Sequence, residues 1–164
     1  MLKFNAHLGF QFTEVPFLDR FTAAAEAGFA AVEFPSPYAY DASILADLLQ
    51  SSGLKLVQIA SPSGDSKGLA AVPGKEDEFR HGLKVAVRYA KALGCANVHL
   101  MSGVSAVDQA SSVFEANLDY GVKYLRDHGL VPLVEVICTE AAPGYFFSDF
   151  HKAQDALSFF QTFV

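Results

Sequence analysis

The chain repeats one pattern, in which a segment of helical period ends at a glycine and a short apolar segment follows at once. These glycines are Gly28, Gly53, Gly94 and Gly129. Glycine tolerates the left-handed conformation in which helices commonly end, and a short apolar run after such an end is typical of a strand. With the strand at the N-terminus, the pattern predicts five strand-then-helix units. This alternation favours a parallel sheet with helical crossovers.

Between these glycines, the spacing of the apolar residues locates the elements. Apolar runs predict strands over residues 2–8, 29–34, 54–60, 97–101 and 131–138. Helical spacing predicts helices over residues 15–27, 42–50, 75–93, 108–128 and 148–163. The strands are apolar runs rather than clean alternations, which is typical of a parallel sheet covered on both faces. No linker or change in composition divides the sequence, so residues 1–164 are predicted to form a single domain.

The number of units bears on the architecture. A parallel sheet of such units usually closes into a barrel when eight are present. Five units therefore predict an α/β fold that is an incomplete barrel of the (β/α)₈ type. An open doubly wound sheet is the alternative, because it also suits five parallel strands; it commonly carries a glycine-rich phosphate turn after the first strand. Here the corresponding residues 8–12 contain one glycine, Gly9. Periodicity alone does not decide between the two.

Composition restricts the partners. The 164 residues are 51% hydrophobic, which is enough for one sizeable core, and carry a net charge of −6. This charge does not favour binding to nucleic acid or to an anionic membrane. No run approaches the ~20 apolar residues of a membrane helix, and residues 1–7 lack the apolar stretch of a signal peptide. Two cysteines are too few for a disulfide framework. We expect a small-molecule partner and a reducing cytoplasm.

Glu135 is the strongest candidate for chemistry, because it lies inside the apolar run 133–137. A carboxylate in such a run is costly unless it is paired or bound to a metal. Hard cations such as Mg²⁺ and Mn²⁺ prefer oxygen ligands of this kind, and a carboxylate beside a substrate can also move a proton. The structural alternative is a glutamate paired with a buried arginine or lysine.

Four further residues stand where a pocket would form. Active sites of parallel α/β folds lie at the carboxyl ends of the strands, where His7, Glu33 and His99 are found. Glu33 could position a hydroxyl group of a sugar or pair with a lysine, and each histidine could bind substrate or be a satisfied core residue. Lys67, in the long loop over residues 61–74, could attract an acidic substrate or be solvated. All four are kept as substrate-binding candidates.

Several motifs follow in one order along essentially the whole chain. They comprise Glu33 in the segment 32–34, the segments 37–38, 62–65, 73–80, 89–94 and 98–100, Glu135, and the segment 143–145. Together they resemble the hydroxypyruvate isomerase family, part of the xylose-isomerase-like sugar isomerases and epimerases. The Pro-Gly…Glu-Phe-Arg segment at 73–80 is fairly specific to this group, whereas the Ala-Leu-Gly helix end at 92–94 is shared more widely.

The resemblance implies a (β/α)₈ barrel of which this chain is the N-terminal portion. It implies a divalent metal, Mg²⁺ or Mn²⁺, and isomerisation through an enediol, here of hydroxypyruvate to tartronate semialdehyde. Glu135 matches the first metal-binding glutamate, which is also a proton-transferring acid or base. Further metal ligands would belong to later strands. The chain departs from the family pattern at Val136 and Cys138, where Pro and Asn are usual, and at Ala60 and His7, where Asn is common.

Two other functional classes remain open from the sequence. The chain could be a non-catalytic carbohydrate-binding or scaffold domain that keeps the pocket without the metal, or a sugar epimerase of the same superfamily. The first and last strands of an incomplete barrel would be open edges, and open edges invite pairing with another chain. We therefore also expect a homo-oligomer formed through the edges of the sheet.

Overall fold

The structure, a computed structural model, describes residues 2–161, apart from the side chains of Asp155 and residues 157–161. Within this range it has six short strands: β1 (Asn5–His7), β2 (Ala31–Glu33), β3 (Lys55–Leu56), β4 (Gln58–Ala60), β5 (Asn97–His99) and β6 (Val131–Leu133). Five α-helices alternate with them: α1 (Arg20–Glu26), α2 (Ala42–Ser52), α3 (Glu76–Ala92), α4 (Ala110–Asp127) and α5 (Phe150–Gln161). The predicted end of the last helix, at residue 163, lies outside the described residues.

The order of the strands decides between the two architectures left open by the sequence. The strands pair in parallel in the order in which they occur along the chain, as β1-β2-β3 and β4-β5-β6. A doubly wound sheet would reverse its strand order at a switch point. Sequential order is instead that of a (β/α)₈ barrel. The predicted incomplete barrel is confirmed, and the doubly wound alternative is wrong.

One predicted strand, over residues 54–60, is divided at Val57. The N–H of Val57 donates to the carbonyl of Val32 (2.9 Å), and the carbonyl of Val57 accepts from Nδ2 of Asn97 (2.7 Å). The residues before Val57 form β3 and pair with β2, whereas those after it form β4 and pair with β5. The segment therefore changes its pairing partner from β2 to β5 at Val57, and the side chain of Asn97 satisfies the Val57 carbonyl between the two ladders.

The glycines of the repeat act as the sequence predicts. All four that follow α1 to α4 have a positive φ, between 64° and 85°, and a strand residue follows each within three positions. The left-handed backbone ends each helix and turns the chain toward the sheet. No helix within residues 2–161 combines the length and the apolar character that crossing a membrane requires.

Alternate strand residues face the helices and form the core. Those of β1 to β5 and their immediate ends are at most 7% exposed: Ala6, Leu8, Val32, Phe34, Leu56, Ile59, Val98 and Leu100. The ring of Phe34 lies 5.6 Å from that of Phe21 on α1, edge to face. Leu100 and Phe79 of α3 both lie beside Gly121 of α4. Consecutive helices also contact one another, from α1 through α4.

The opposite face of the strands is less covered. Several residues that alternate with the core set are half-buried or exposed, as at Glu33 and Gln58, and Val131 is 49% exposed, whereas Ala60 and His99 are buried. The expectation that both faces of the sheet are covered is therefore wrong for the described part of the chain. The helices pack on one face, and the other face forms the wall of an open cavity.

Candidate functional site

A cavity of about 390 Å³ lies at the carboxyl ends of the strands. Fifteen residues line it, and they include all five site residues predicted from the sequence: His7, Glu33, Lys67, His99 and Glu135. They come from different elements: β1, β2 and β5 end at His7, Glu33 and His99, whereas Glu135 follows β6 by two residues. The structure thus brings the predicted residues together, as the position of active sites in this architecture leads one to expect.

The direction of these side chains follows from the strand period of two. His7 lies between Ala6 and Leu8, which are both fully buried. Glu33 and His99 are likewise each flanked by two core residues. Parallel pairing aligns His7 with Glu33. One polar residue at the end of each of β1, β2 and β5 therefore faces the cavity.

Glu135 and His99 lie beside each other in the cavity. His99 Nδ1 lies 3.4 Å from Oε2 of Glu135, which is longer than a good hydrogen bond. The two side chains differ in environment, because that of His99 is 7% exposed and that of Glu135 is 55% exposed. Since β6 ends at Leu133, Glu135 lies beyond the sheet ladder and is not the buried carboxylate that its apolar neighbours in the sequence suggest.

Burial controls the charge of His99. It lowers the pKa of the imidazole from 6.5 to about 4, because an imidazolium in this position would lose its water. The attraction of Glu135 is weaker, since that carboxylate is half-exposed and screened by solvent. His99 is therefore neutral near pH 7. With Nδ1 beside the carboxylate, its Nε2 is buried and has no hydrogen-bond partner among the described residues.

The ring of His7 contacts two residues of the turn that follows it, Gly9 and Phe10. Its Nδ1 accepts a hydrogen bond from the N–H of Gly9 (3.1 Å), and the ring stacks on Phe10 with centroids 4.3 Å apart. A nitrogen that accepts a hydrogen bond carries no proton, so a neutral ring has its proton on Nε2. Phe10, which also lines the cavity, is 80% exposed. This turn places an apolar ring at the mouth of the pocket.

Two loops approach each other above the cavity. Lys67 follows a 3₁₀ turn at Gly64–Ser66, and its Nζ donates to the carbonyl of Ala141 (3.3 Å), 74 residues away in the sequence. The phenol of Tyr145 accepts a hydrogen bond from the N–H of Ser102 (3.1 Å). Burial raises the pKa of Tyr145, so the phenol keeps its proton near neutral pH. Tyr145 and Lys67 both line the cavity.

The sequence did not point to three polar or aromatic residues of this site. Gln58 lines the cavity from β4, and its alternation with the buried Ile59 was a usable signal of period two. Phe10 and Tyr145 carry no such signal, because they lie in irregular segments.

Glu135 has no arginine or lysine partner within 4.0 Å in the described part of the chain. The structural alternative for this residue, a pair with a buried cation, is therefore not what the described residues form.

The side chains around the cavity supply only part of the ligand set of a divalent cation. Within the described residues, no group of three or more His, Cys, Asp or Glu side chains is arranged to hold a metal ion. Glu135 offers carboxylate oxygens to the cavity, which suit Mg²⁺ or Mn²⁺, but such ions bind six or more ligands. The described residues alone therefore do not fit a complete metal site, although Glu135 has the chemistry of one ligand.

Known proteins match the chain over most of its length. Residues 21–162 match the model of the xylose isomerase-like TIM barrel family. A 2-oxo-tetronate isomerase from Haemophilus influenzae is 40% identical over 88% of this chain, and a hydroxypyruvate isomerase from Escherichia coli is 37% identical over 88%. The chain spans 59% of the length of both isomerases.

A solved structure also matches. The crystal structure of AP endonuclease, family 2, from Brucella melitensis superposes with a TM-score of 0.85 and 42% identity. The match covers 90% of this chain and 60% of that one. The structural match, like the sequence matches, covers most of this chain and about three fifths of the relative.

Proposed function

We propose a function from one premise, which is that this chain belongs to the xylose isomerase-like TIM barrel family. The proposed activity is the isomerisation of a small 3-hydroxy-2-oxo carboxylate, such as hydroxypyruvate or 2-oxo-tetronate, through an enediol. The observation that carries it is Glu135, a half-exposed carboxylate in the cavity beside the neutral, buried His99. Relatives named for these two substrates support the choice of substrate class.

In the proposed reaction, Glu135 takes a proton from C3 of hydroxypyruvate, and the electron pair of that C–H bond forms the C2–C3 double bond of the enediol. The proton of the C3 hydroxyl is transferred to the C2 oxygen, so that C3 becomes the aldehyde carbon and C2 carries the hydroxyl group. Glu135 then returns its proton to C2, which gives tartronate semialdehyde. Atoms and electrons balance without a redox partner. The proton transfer requires an ionised Glu135 at the start.

The neighbours of Glu135 have supporting roles in this proposal. A neutral His99 with its proton on Nδ1 would direct that proton toward the carboxylate without neutralising it. Glu33 and His7, aligned across β1 and β2, would bind hydroxyl or carbonyl oxygens of the substrate. Tyr145 keeps its phenolic proton and could donate it in a hydrogen bond to the same ligand.

A divalent cation is also part of the proposal, within the limit set by the donors. When bound, Mg²⁺ or Mn²⁺ would polarise the oxygens at C2 and C3 and so acidify the C3 proton. Glu135 is the ligand that this chain would contribute. Titration calorimetry with Mn²⁺ on the unaltered chain and on Glu135→Gln tests that contribution. Equal heats for the two proteins would remove Glu135 from metal binding.

Proton exchange is the direct test of the catalytic role. The chain is incubated with hydroxypyruvate in D₂O, with and without Mn²⁺, and loss of the C3 proton signal is followed by NMR. We expect Glu135→Gln to slow the exchange by about 100-fold or more, the usual effect of losing a positioned base. The control is Glu140→Gln, an exposed carboxylate close in sequence that does not line the cavity.

The outcomes separate the functional classes. Exchange that depends on Glu135 and not on Glu140 supports an isomerase, and equal exchange rates in all three proteins contradict the assigned base. Binding of hydroxypyruvate without exchange favours the non-catalytic binding domain. Epimerisation of a ketose with no exchange on hydroxypyruvate favours an epimerase. Binding to the phosphate backbone of DNA is not favoured, since the net charge is −6.

We also propose a homo-oligomer and a cytoplasmic setting. Exposed apolar residues near the two outer strands support an association: Leu2 is 82% exposed, Phe4 66% and Val131 49%. Pro132 within β6 has no N–H to offer to a further strand, so packing of side chains would contribute more there than new ladder hydrogen bonds. A strictly monomeric species by light scattering at high micromolar concentration would contradict the association.

The exposed free thiol of Cys138 suits a reducing compartment.

A further inference from the structure

The charges around the cavity present a problem for an acidic substrate. Glu33 and Glu135 contribute two carboxylates, and a substrate carboxylate would add a third negative charge. Like charges at close range are unfavourable, and more so where solvent is restricted. Lys67 is the one lysine or arginine among the described residues that line this cavity. A carboxylate substrate therefore has one protein cation available to it here.

The charge of Lys67 is not compensated by the protein. No described carboxylate lies within 4.0 Å of its Nζ. Its one hydrogen bond is to the neutral carbonyl of Ala141, at a long 3.3 Å. By contrast, Lys75 at the end of the same loop is paired with Glu78 at 2.7 Å. The ammonium of Lys67 is thus free to bind an anion, while that of Lys75 is already engaged.

The backbone at Lys67 is held in an unusual conformation. Its φ is +55°, which few residues other than glycine adopt. The next residue, Gly68, lies so close to the chain at Gly103 that an added Cβ would be 2.5 Å from that backbone nitrogen. The N–H of Val104 donates to the carbonyl of Ser66 (2.7 Å). The loop is therefore fixed on both sides of Lys67, which keeps its side chain at the cavity.

We infer that Lys67 binds the carboxylate of the substrate and selects 3-hydroxy-2-oxo acids over neutral ketoses. This inference rests on the proposed function and deepens it, because it names the residue that recognises the acid. It requires no covalent step. The ammonium forms a charge-assisted hydrogen bond with the carboxylate group next to C2, while C2 and C3 remain available to Glu135, which lines the same cavity.

Two ligands that differ in one group test the selection. Hydroxypyruvate and dihydroxyacetone share a hydroxymethyl ketone, but the first has a carboxylate where the second has a neutral hydroxymethyl group. Dissociation constants of both are measured by titration calorimetry or ligand-observed NMR. We expect the unaltered chain to bind hydroxypyruvate about 10-fold more tightly, consistent with a partly exposed charge-assisted bond. Added salt should reduce that ratio, because Lys67 is exposed.

Three variants assign the preference to Lys67. Lys67→Met should lower the ratio to about 1–2 by weakening hydroxypyruvate binding about 10-fold, with dihydroxyacetone nearly unchanged. Lys67→Arg, which keeps the charge, should retain most of the preference. Lys75→Met should behave as the unaltered chain, since Lys75 does not line the cavity. If Lys67→Met does not fold by thermal melting, Lys67→Gln replaces it.

The results distinguish failure of this inference from failure of the proposed function. A preference for hydroxypyruvate that survives Lys67→Met, or equal affinity for both ligands in the unaltered chain, overturns the role of Lys67. If C3 proton exchange still depends on Glu135 in that case, the isomerase proposal stands. If the unaltered chain binds neither ligand, both proposals are overturned.

Discussion

The two faces of the strands differ in burial and in polarity. On the helix-facing side, Ala6, Val32 and Val98 are fully buried. On the cavity-facing side, Glu33 and Gln58 are polar and in part exposed to solvent. Because the side chains of one strand alternate between the faces, each strand contributes to both. Neighbouring residues of one strand therefore have different roles. Those on the helix-facing side stabilise the fold, and those on the cavity-facing side are available to bind a ligand.

The helix-facing side carries most of the packing energy. The ring of Phe34 is 1% exposed and meets the rings of Phe17 and Phe21 edge to face at 5.5 and 5.6 Å. Full burial of such a ring contributes on the order of 2–3 kcal/mol from apolar area alone, and aromatic pairs in this geometry add to it. The cavity-facing side has few such contacts, so its residues contribute less to stability and are available for ligand binding and catalysis.

The largest effect that we predict comes from emptying the helix-facing side. Phe34→Ala should lower the free energy of unfolding by about 3–5 kcal/mol, since it removes a buried ring and leaves a cavity between β2 and α1. Urea unfolding followed by circular dichroism measures it. The matched control is Glu33→Gln, one residue earlier on the other face, which should change stability by less than about 0.5 kcal/mol. Similar losses in the free energy of unfolding for the two variants would contradict the conclusion that the helix-facing side carries most of the packing energy.

The second prediction concerns His99, which departs from the comparison because it faces the cavity and is yet buried. The folded pKa is about 4 and the ordinary value is 6.5. Between these values the unfolded chain binds a proton that the folded chain does not, so acid favours unfolding. Stability should fall by roughly 3 kcal/mol from this group as the pH decreases from about 6.5 to 4.

The test of that pH effect compares two proteins. Urea unfolding is measured between pH 4 and 7 in the presence of EDTA, for the unaltered chain and for His99→Gln. The variant lacks the titrating imidazole, so its stability should depend less steeply on pH in this range, whatever its stability at pH 7. Parallel pH curves for the two proteins would show that His99 is more accessible to water than its buried position indicates.

Much of the helix-facing side could be predicted from the sequence, because its signals are local. Helical spacing and terminal glycines located α1 to α4 to within a few residues, with the exception of the 3₁₀ turn at Phe17–Asp19, which was included in the first helix. The strands were predicted too long, as for β6, because apolar runs continue beyond the hydrogen-bonded ladder. The division at Val57 was not predicted, since it depends on a hydrogen bond from the distant Asn97.

The cavity could be predicted only in part. The carboxyl ends of the predicted strands identified His7, Glu33 and His99, because the end of an apolar run is also a local property. The contact of Lys67 with Ala141 joins residues 74 positions apart, and the place of Tyr145 depends on the approach of two loops. Such contacts arise from tertiary packing and leave no period in the sequence. The expected burial of Glu135 failed for the same reason, since its apolar neighbours do not reveal where the ladder ends.

The third prediction examines the close approach of loops above the cavity. Gly68→Ala should destabilise the protein by about 2 kcal/mol more than Gly74→Ala. Both glycines have a positive φ, but an added Cβ at Gly68 would meet the backbone of Gly103 and Met101 within 2.7 Å, whereas nothing lies within 4 Å at Gly74. Thermal unfolding of the two variants gives the difference. Equal destabilisation would mean that the loops separate easily and do not hold Lys67 in place.

The smallest predicted effect compares the two faces with one substitution. Val131→Thr should change the free energy of unfolding by less than about 0.5 kcal/mol, because Val131 is 49% exposed on the cavity-facing side of β6. Val98→Thr, on the neighbouring β5, places a hydroxyl where the side chain is fully buried, and should cost about 1–3 kcal/mol. Both are measured at a concentration where sedimentation shows a monomer, so that association does not cover β6. Since valine and threonine have the same shape, only the solvation of the added hydroxyl differs between the sites. A loss at Val131 equal to that at Val98 would mean that the cavity-facing side is closed to water in solution.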